Sequence, residues 1–187
     1  MIETEDTLNS FVRYLLALDE ADDRAALASL RRGVGQQPGS VLETARIVER
    51  RLELGTPPSV RNACYIVGSL FALHHESVSS NGDMGKHFRK ICGDLKPGDE
   101  LPRNIERRFM SVLASDKDEL PDALRQAVSL LKSKDIPVNW FRLAQDVQQW
   151  HWDNEREQVC KKWARGFWNT EKTTEPSAAI ENQSVTE

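Results

Sequence analysis

The stretch SVRNACYIVGSLFALHH, residues 59–75, is apolar almost all the way round a helical wheel, and no other part of the chain restricts the fold as much. A helix with one polar side can lie on a surface, whereas one without must be wrapped by other elements. The wrapping is helical too. Leu8, Phe11, Val12, Leu15 and Leu16 mark a first helix, and a second runs from about Asp22 to a stop at Gly33, where GVGQQPG breaks the chain. Ser40 with Glu43 reads as a capping box opening a helix over 41–54 that Gly55 closes, and Pro57 and Pro58 start the central helix. The polar segment 76–83, ESVSSNGD, is expected to be a hinge or flexible excursion. Short helices follow around 84–95, 102–114 and 119–134, with the loop KPGDELP between the first two. DIPVN then leads to a helix capped by Asn139 and carrying Trp140, Leu143, Val147 and Trp150. The last helix, 154–168, places Cys160, Trp163, Ala164 and Phe167 on one face. With no sustained alternation to argue for a sheet, the spacing predicts an all-α bundle of about eight or nine helices. The expected division is an N-terminal helical half over 1–100, a C-terminal bundle over 101–168, and a disordered polar tail over 169–187.

Several function classes find no support. No apolar run approaches the roughly 18 residues that span a bilayer, and the start MIETEDTLNS lacks the basic and apolar regions of a signal peptide, so the chain reads as cytoplasmic. Cys64, Cys92 and Cys160 are odd in number, widely spaced and set among apolar neighbours, which reads as reduced packing residues. His74 and His75 point about 100° apart on a helix and share an ion poorly; His87 and Cys92 are no better placed, so these read as ordinary helix-end or surface groups. There is no nucleophile elbow, P-loop or dinucleotide fingerprint, and the sequence argues neither for an enzyme nor for a cofactor. Trp140, Trp150 and Trp163 fall on apolar stripes and read as core rather than as stacking platforms, while Trp152 and Trp168 are less constrained.

Charge is the positive signal. The net charge is -4, but residues 1–23 set Arg13 against seven acids, giving -6, and residues 170–187 set Lys172 against four, giving -3. The body, 24–169, therefore carries +5 (-4 minus -9). In NIERRFMSVL, 104–113, Ile105, Phe109, Val112 and Leu113 gather on one side of a helix, while Asn104, Arg107, Arg108 and Ser111 share a flank that Glu106 does not face. In MGKHFRKICGDL, Phe88, Ile91 and Leu95 point inward and Lys86, Arg89 and Lys90 outward. Arg125, Ser129 and Lys132 form a line along another helix, Arg31 and Arg32 end the second helix, and Arg61 enters the central one. If these surfaces adjoin, they form a groove that tracks a phosphodiester backbone. If they do not, they are solvated faces, with Arg31 and Arg32 complementing a helix C-terminus.

Taken in order, SLFALHH (69–75), MGKHFRK (84–90), ERRFMSVL (106–113), LRQAVSLLKSKDIPVNWFRLAQDV (124–147) and KKWARGFW (161–168) resemble the CasB family, the small subunit of the type I-E CRISPR complex Cascade. The resemblance covers about 40–168 and implies an all-helical, non-catalytic subunit that needs no cofactor. Its implied partners are crRNA and target DNA, the CasC backbone subunits, the large subunit CasA and a second copy of itself. Its implied role is to help hold the R-loop, where modest phosphate contacts tip a near-balanced exchange of duplexes. The positions matching the family's basic sites are Arg32, Arg61, Lys86, Arg108 and Arg125, to which helical geometry adds Arg31, Arg89 and Arg107. The chain departs from the family pattern at Gln126, where many members carry arginine, and at His75, where members often have proline. The alternative function is a helical protein-interaction scaffold that touches no nucleic acid.

Overall fold

The computed structural model describes residues 2–95 and 99–169, so part of the KPGDELP loop and the tail predicted to be disordered lie outside the described residues. The described residues form nine α-helices and no strand: α1 (Ile2–Glu20), α2 (Arg24–Arg31), α3 (Leu42–Val48), α4 (Pro58–Leu73), α5 (Met84–Ile91), α6 (Arg103–Ala114), α7 (Leu120–Lys132), α8 (Trp140–Gln149) and α9 (Asp153–Trp168), with a 3-10 turn over Glu49–Arg51. The all-α expectation holds.

Helix α4 is the axis. Twelve of its 16 residues are buried, and α1, α2, α3, α7 and α8 pack around it. Pro58 stands in its first turn, where a missing N–H costs nothing. Leu8, Phe11, Val12 and Leu15 of α1 lie in the same packed cluster as Trp140 of α8 and Phe167 of α9, so the packing crosses residue 100. Trp140, Trp150 and Trp163 are buried as their stripes predict. Asn139 caps α8 by accepting from the Arg142 N–H at 3.1 Å, also as predicted.

Of the remaining helices, α5 packs on α9, α6 and α7, α6 packs on α7, and α9 packs on α5 and α8. Helices α5 and α9 approach so closely that a Cβ on Gly85 would overlap the Trp163 carbonyl oxygen and stand 2.9 Å from the Trp163 Cα. On the other helix, a Cβ on Gly166 would come 2.7 Å from Asp83 Oδ1 and 3.0 Å from the Lys86 nitrogen. Helix α9 is tied to α8 through Asp146, which is buried, accepts from Trp163 Nε1 at 2.7 Å, pairs with Lys162, and meets Arg142 at 3.2 Å. Burial pushes the Asp146 carboxyl up and the Lys162 ammonium down, and their mutual attraction opposes both shifts.

Three sequence expectations are corrected. The capping box does not form: Ser40 Oγ donates to the Gln37 carbonyl at 2.7 Å, Val41 occupies the cap position, and Glu43 is held by Arg32. The helix it was to open reaches only Arg51, counting the 3-10 turn. Segment 76–83 is anchored, because Ser79 N–H donates to the Val138 carbonyl at 2.9 Å and Asn139 Nδ2 donates to the Ser80 carbonyl at 3.1 Å. Finally, His87, read as a helix-end or surface group, is buried inside α5, whereas His74 is the helix-end group expected, the C-cap of α4, and is buried as well. His74 Nε2 donates to the Ile136 carbonyl at 2.8 Å, and His87 Nε2 accepts from the Asn139 N–H at 3.1 Å.

Gly85→Ala is expected to lower unfolding stability by about 1–3 kcal/mol, read from urea midpoints, because backbone and not a flexible side chain blocks the added methyl. A midpoint unchanged from the parent would mean that the α5–α9 approach is looser than described. His87 gives a second expectation. Burial pushes its imidazole down to about 4 from an ordinary 6.5, with Lys90 adding and Asp83 opposing. The unfolded chain takes up this proton near pH 6.5 and the folded chain only near 4, so about 3 kcal/mol of stability is present above pH 6.5 and lost as pH falls through that window. In NMR titrations the His87 ring signals should stay unmoved down to pH 5; a midpoint near 6.5 would contradict the buried acceptor role.

Candidate nucleic-acid interface

Helix α6 is amphipathic because Ile105, Phe109 and Val112 are buried against its neighbours while the flank between them faces out. Phe109 meets Phe88 at 5.2 Å, Phe167 at 4.4 Å and Trp168 at 5.5 Å between ring centroids, which fixes the rotation of α6 about its axis. Trp168 also donates its indole N–H to Glu106 Oε1 at 2.8 Å. That bond holds the nearest carboxylate on the far flank. Arg107 and Arg108 are exposed and, among the described residues, make no ion pair.

Helix α7 packs beside α6, and between them lies a groove of about 280 Å³. Its floor is apolar, formed by Phe88, Val112, Ala127 and Leu130, and its rim carries Arg107, Arg108, Ser111 and Gln126. Three helices thus converge on one concavity, and among the described residues that line it the charged ones are the guanidiniums of Arg107 and Arg108. Such a rim recognises an anion.

The other predicted positions fall into different settings. Arg31 Nε donates to the Ala72 carbonyl at 2.9 Å, in the last turn of α4. Lys132 Nζ donates to the adjacent Leu73 carbonyl at 2.7 Å, so both cations complete the end of a buried helix. Arg32 pairs with Glu43 at 2.5 Å and Arg61 pairs with Glu49, which also accepts from the Tyr65 hydroxyl at 2.8 Å. These bonds hold the Glu49 carboxyl below its ordinary range, with Arg61 the largest cause. Arg125 binds Asp122 through Nε at 2.9 Å and Nη2 at 2.8 Å, and Gln126 Nε2 takes the other Asp122 oxygen at 2.7 Å. Lys86 is exposed on the α9 side of α5 and makes no ion pair among the described residues. Arg89, expected to point outward, is half-buried, and its Nη1 is buried without a hydrogen-bond partner.

Helix α7 is the spine of the basic region. On one side it faces Arg107 and Arg108. On the other, Arg125 lies under the turn after α2, where a Cβ on Gly35 would come 2.8 Å from Arg125 Cδ, close to the end of α2 that carries Arg31 and Arg32. Arg61 stands apart, 11 residues from Ala72 along α4, about 16 Å by helical rise. Lys86 is not among the residues that line the groove. Arg103, exposed at the start of α6, was missed; its i, i+4 relation to Arg107 is the signal that places it on the same side.

Among the described residues no group of three or more His, Cys, Asp or Glu side chains could hold a metal ion, and no helix is long and apolar enough to cross a membrane. All three cysteines are free thiols, and burial pushes Cys64 up to about 12. The model of the family described as CRISPR-associated protein Cse2 matches residues 26–168. The chain belongs to the Cse2 family.

That Cse2 match runs from within α2 to the end of α9, takes in all eight basic positions singled out above, and leaves the whole of α1 outside. Among curated proteins, the CRISPR-associated protein Cse2 of Thermus thermophilus is 29% identical over 147 residues, covering 77% of this chain and 79% of that one. Among solved structures, CasB of M. ruber is 29% identical with a TM-score of 0.67, covering 88% of this chain and 93% of the other. A chain from a CRISPR RNA-guided surveillance complex superposes with a TM-score of 0.71 at 23% identity, covering 88% and 92%, a likeness of fold. The Cse2 assignment confirms the CasB resemblance carried by the sequence motifs.

The two kinds of arginine separate in a stability measurement. Arg31→Ala should lower unfolding stability by about 1 kcal/mol through the orphaned Ala72 carbonyl, while Arg107→Ala and Arg108→Ala should each stay within about 0.5 kcal/mol of the parent. Equal losses at all three positions would remove the distinction between helix-capping and free cations.

Proposed function

We propose that this Cse2-family chain is the non-catalytic small subunit of a type I-E CRISPR ribonucleoprotein, Cascade, where it binds nucleic-acid backbone without sequence specificity and stabilises the R-loop during crRNA-guided recognition of foreign DNA. Its partners on this reading are the crRNA and target DNA, the CasC and CasA subunits and a second copy of itself, in the cytoplasm. Family membership supports the place in the complex. The observation that carries the nucleic-acid part is the Arg107–Arg108 pair, exposed beside a groove and making no ion pair among the described residues, while Glu106 is bonded to the Trp168 indole.

Phosphates meet these groups as forks, and Arg125 with Arg32 extends the positive region across α7 in partly neutralised form. Ion pairs this exposed exchange readily, so Asp122 and Glu43 act as placeholders that a phosphate can displace. Contacts of this kind position a strand without reading its sequence.

The scaffold reading keeps one observation in its favour. Leu42 is 81% exposed and Leu54 fully exposed, side chains that suit a protein interface better than a nucleic-acid one. The two readings part in one experiment. With Arg107→Ala and Arg108→Ala together, the fall of log affinity with log salt for an unrelated DNA duplex should flatten by about 2 while assembly into the complex is kept. An unchanged slope would refute the phosphate role, and loss of assembly would favour the scaffold.

A further inference from the structure

The α6–α7 groove contains more than phosphate binding requires. A phosphate needs only donors, and exposed arginines supply them. This groove also has an apolar floor beneath those arginines, with Phe88 at its base fully buried and packed against Phe109 at 5.2 Å. Its volume of about 280 Å³ lies at the small end of ligand pockets, which run from roughly 300 Å³, and suits one nucleoside rather than a stacked pair. The rim is also suited to a base edge. Gln126 spends its amide N–H on Asp122, which leaves its carbonyl oxygen as an acceptor, and Ser111 offers an exposed hydroxyl beside it.

The geometry points to a subsite that takes one unstacked nucleoside of a single strand, its base lying on the floor between α6 and α7 and its phosphate on Arg107 and Arg108. This rests on the nucleic-acid reading above and deepens it, since backbone binding alone assigns no place to a base. A base inside a duplex cannot enter the groove without leaving its stack, so the subsite favours single strands. Ala123 and Ala127 line the groove where a larger side chain would close it.

The test uses the full chain labelled with ¹³C at its alanine methyls, titrated with a nucleoside 5′-monophosphate and separately with inorganic phosphate. Ring-current shifts at Ala123 and Ala127 are expected with the nucleotide and not with phosphate. Ala123→Leu should abolish them and reduce the preference for single-stranded over duplex DNA about tenfold, with the salt slope of strand binding retained. Equal shifts with both ligands would reduce the groove to a plain anion site, and methyls unmoved at millimolar nucleotide would overturn the subsite outright. The nucleotide titration stands on the parent protein whether or not the variant folds. Strand binding by the parent that weakens steeply with salt while the methyls stay unmoved would defeat the subsite alone; absence of strand binding would defeat the broader reading.

Discussion

A helix buried on every side still has to end, and the end of α4 determines how several surrounding side chains are used. The last carbonyls of any α-helix lack intrahelical partners. At the end of α4, water reaches these groups poorly because Phe71 and Ala72 are fully buried. The His74 N–H serves Leu70 and Phe71, Arg31 reaches Ala72, and Lys132 reaches Leu73. A helix C-terminus also carries partial negative charge, so cations suit these places twice over. The core's demand therefore commits the Nε of Arg31 and the ammonium of Lys132 before any ligand is considered, although Arg31 itself stays exposed. What looks in sequence like one basic population is divided by the helix it surrounds.

A second sorting operates through α9. The Gly85–Trp163 approach holds α9 against α5, and α9 in turn presents Phe167 and Trp168 to α6. The rotation of α6 and the capture of Glu106 by the Trp168 indole follow from that placement. Arg107 and Arg108 are consequently free for a reason three contacts removed from themselves. Asp146 contributes to the same chain of dependence, because it fixes α9 to α8 through a half-buried ammonium and an indole whose hydrogen bonds offset the cost of burying the carboxylate.

This layering explains what was legible in the sequence. Period and punctuation suffice for most of the helices, since the stripe of α4, the Asn139 cap and Pro58 are all local signals. The Ser40–Glu43 box failed because each member had a competing partner, the Gln37 carbonyl for the hydroxyl and Arg32 for the carboxylate, and the Glu43–Arg32 pairing comes from another helix. Segment 76–83 is polar in composition but secured by Val138 and Asn139, some 60 residues away. For the candidate site, helical geometry correctly separated Glu106 from the arginines. It could not show that Arg125 and Arg61 face carboxylates, or that Arg89 turns inward, because those outcomes depend on which helices become neighbours. Gly85 carries no periodic signal at all; a missing Cβ matters only once a second backbone arrives beside it.

The same sorting bears on strength of binding. Of the eight basic positions singled out, three are ion-paired, one caps a helix and one is half-buried, which leaves Lys86, Arg107 and Arg108 uncommitted among the described residues, and Lys86 does not line the groove. Two or three free phosphate contacts give weak, salt-sensitive affinity, toward the weak end of the roughly 10⁻⁴–10⁻⁶ M range of nonspecific DNA binding. Weakness is consistent with the proposed role. Strand exchange into an R-loop is nearly balanced, so a subunit that gripped DNA tightly on its own would hold unmatched strands as firmly as matched ones. On the proposed role a few contacts, added only once assembly has presented a strand to them, tip the balance and leave discrimination to base pairing. On the proposed role the acidic N-terminal stretch, at -6 over residues 1–23, works in the same direction, since like charge repels stray nucleic acid from the lone chain.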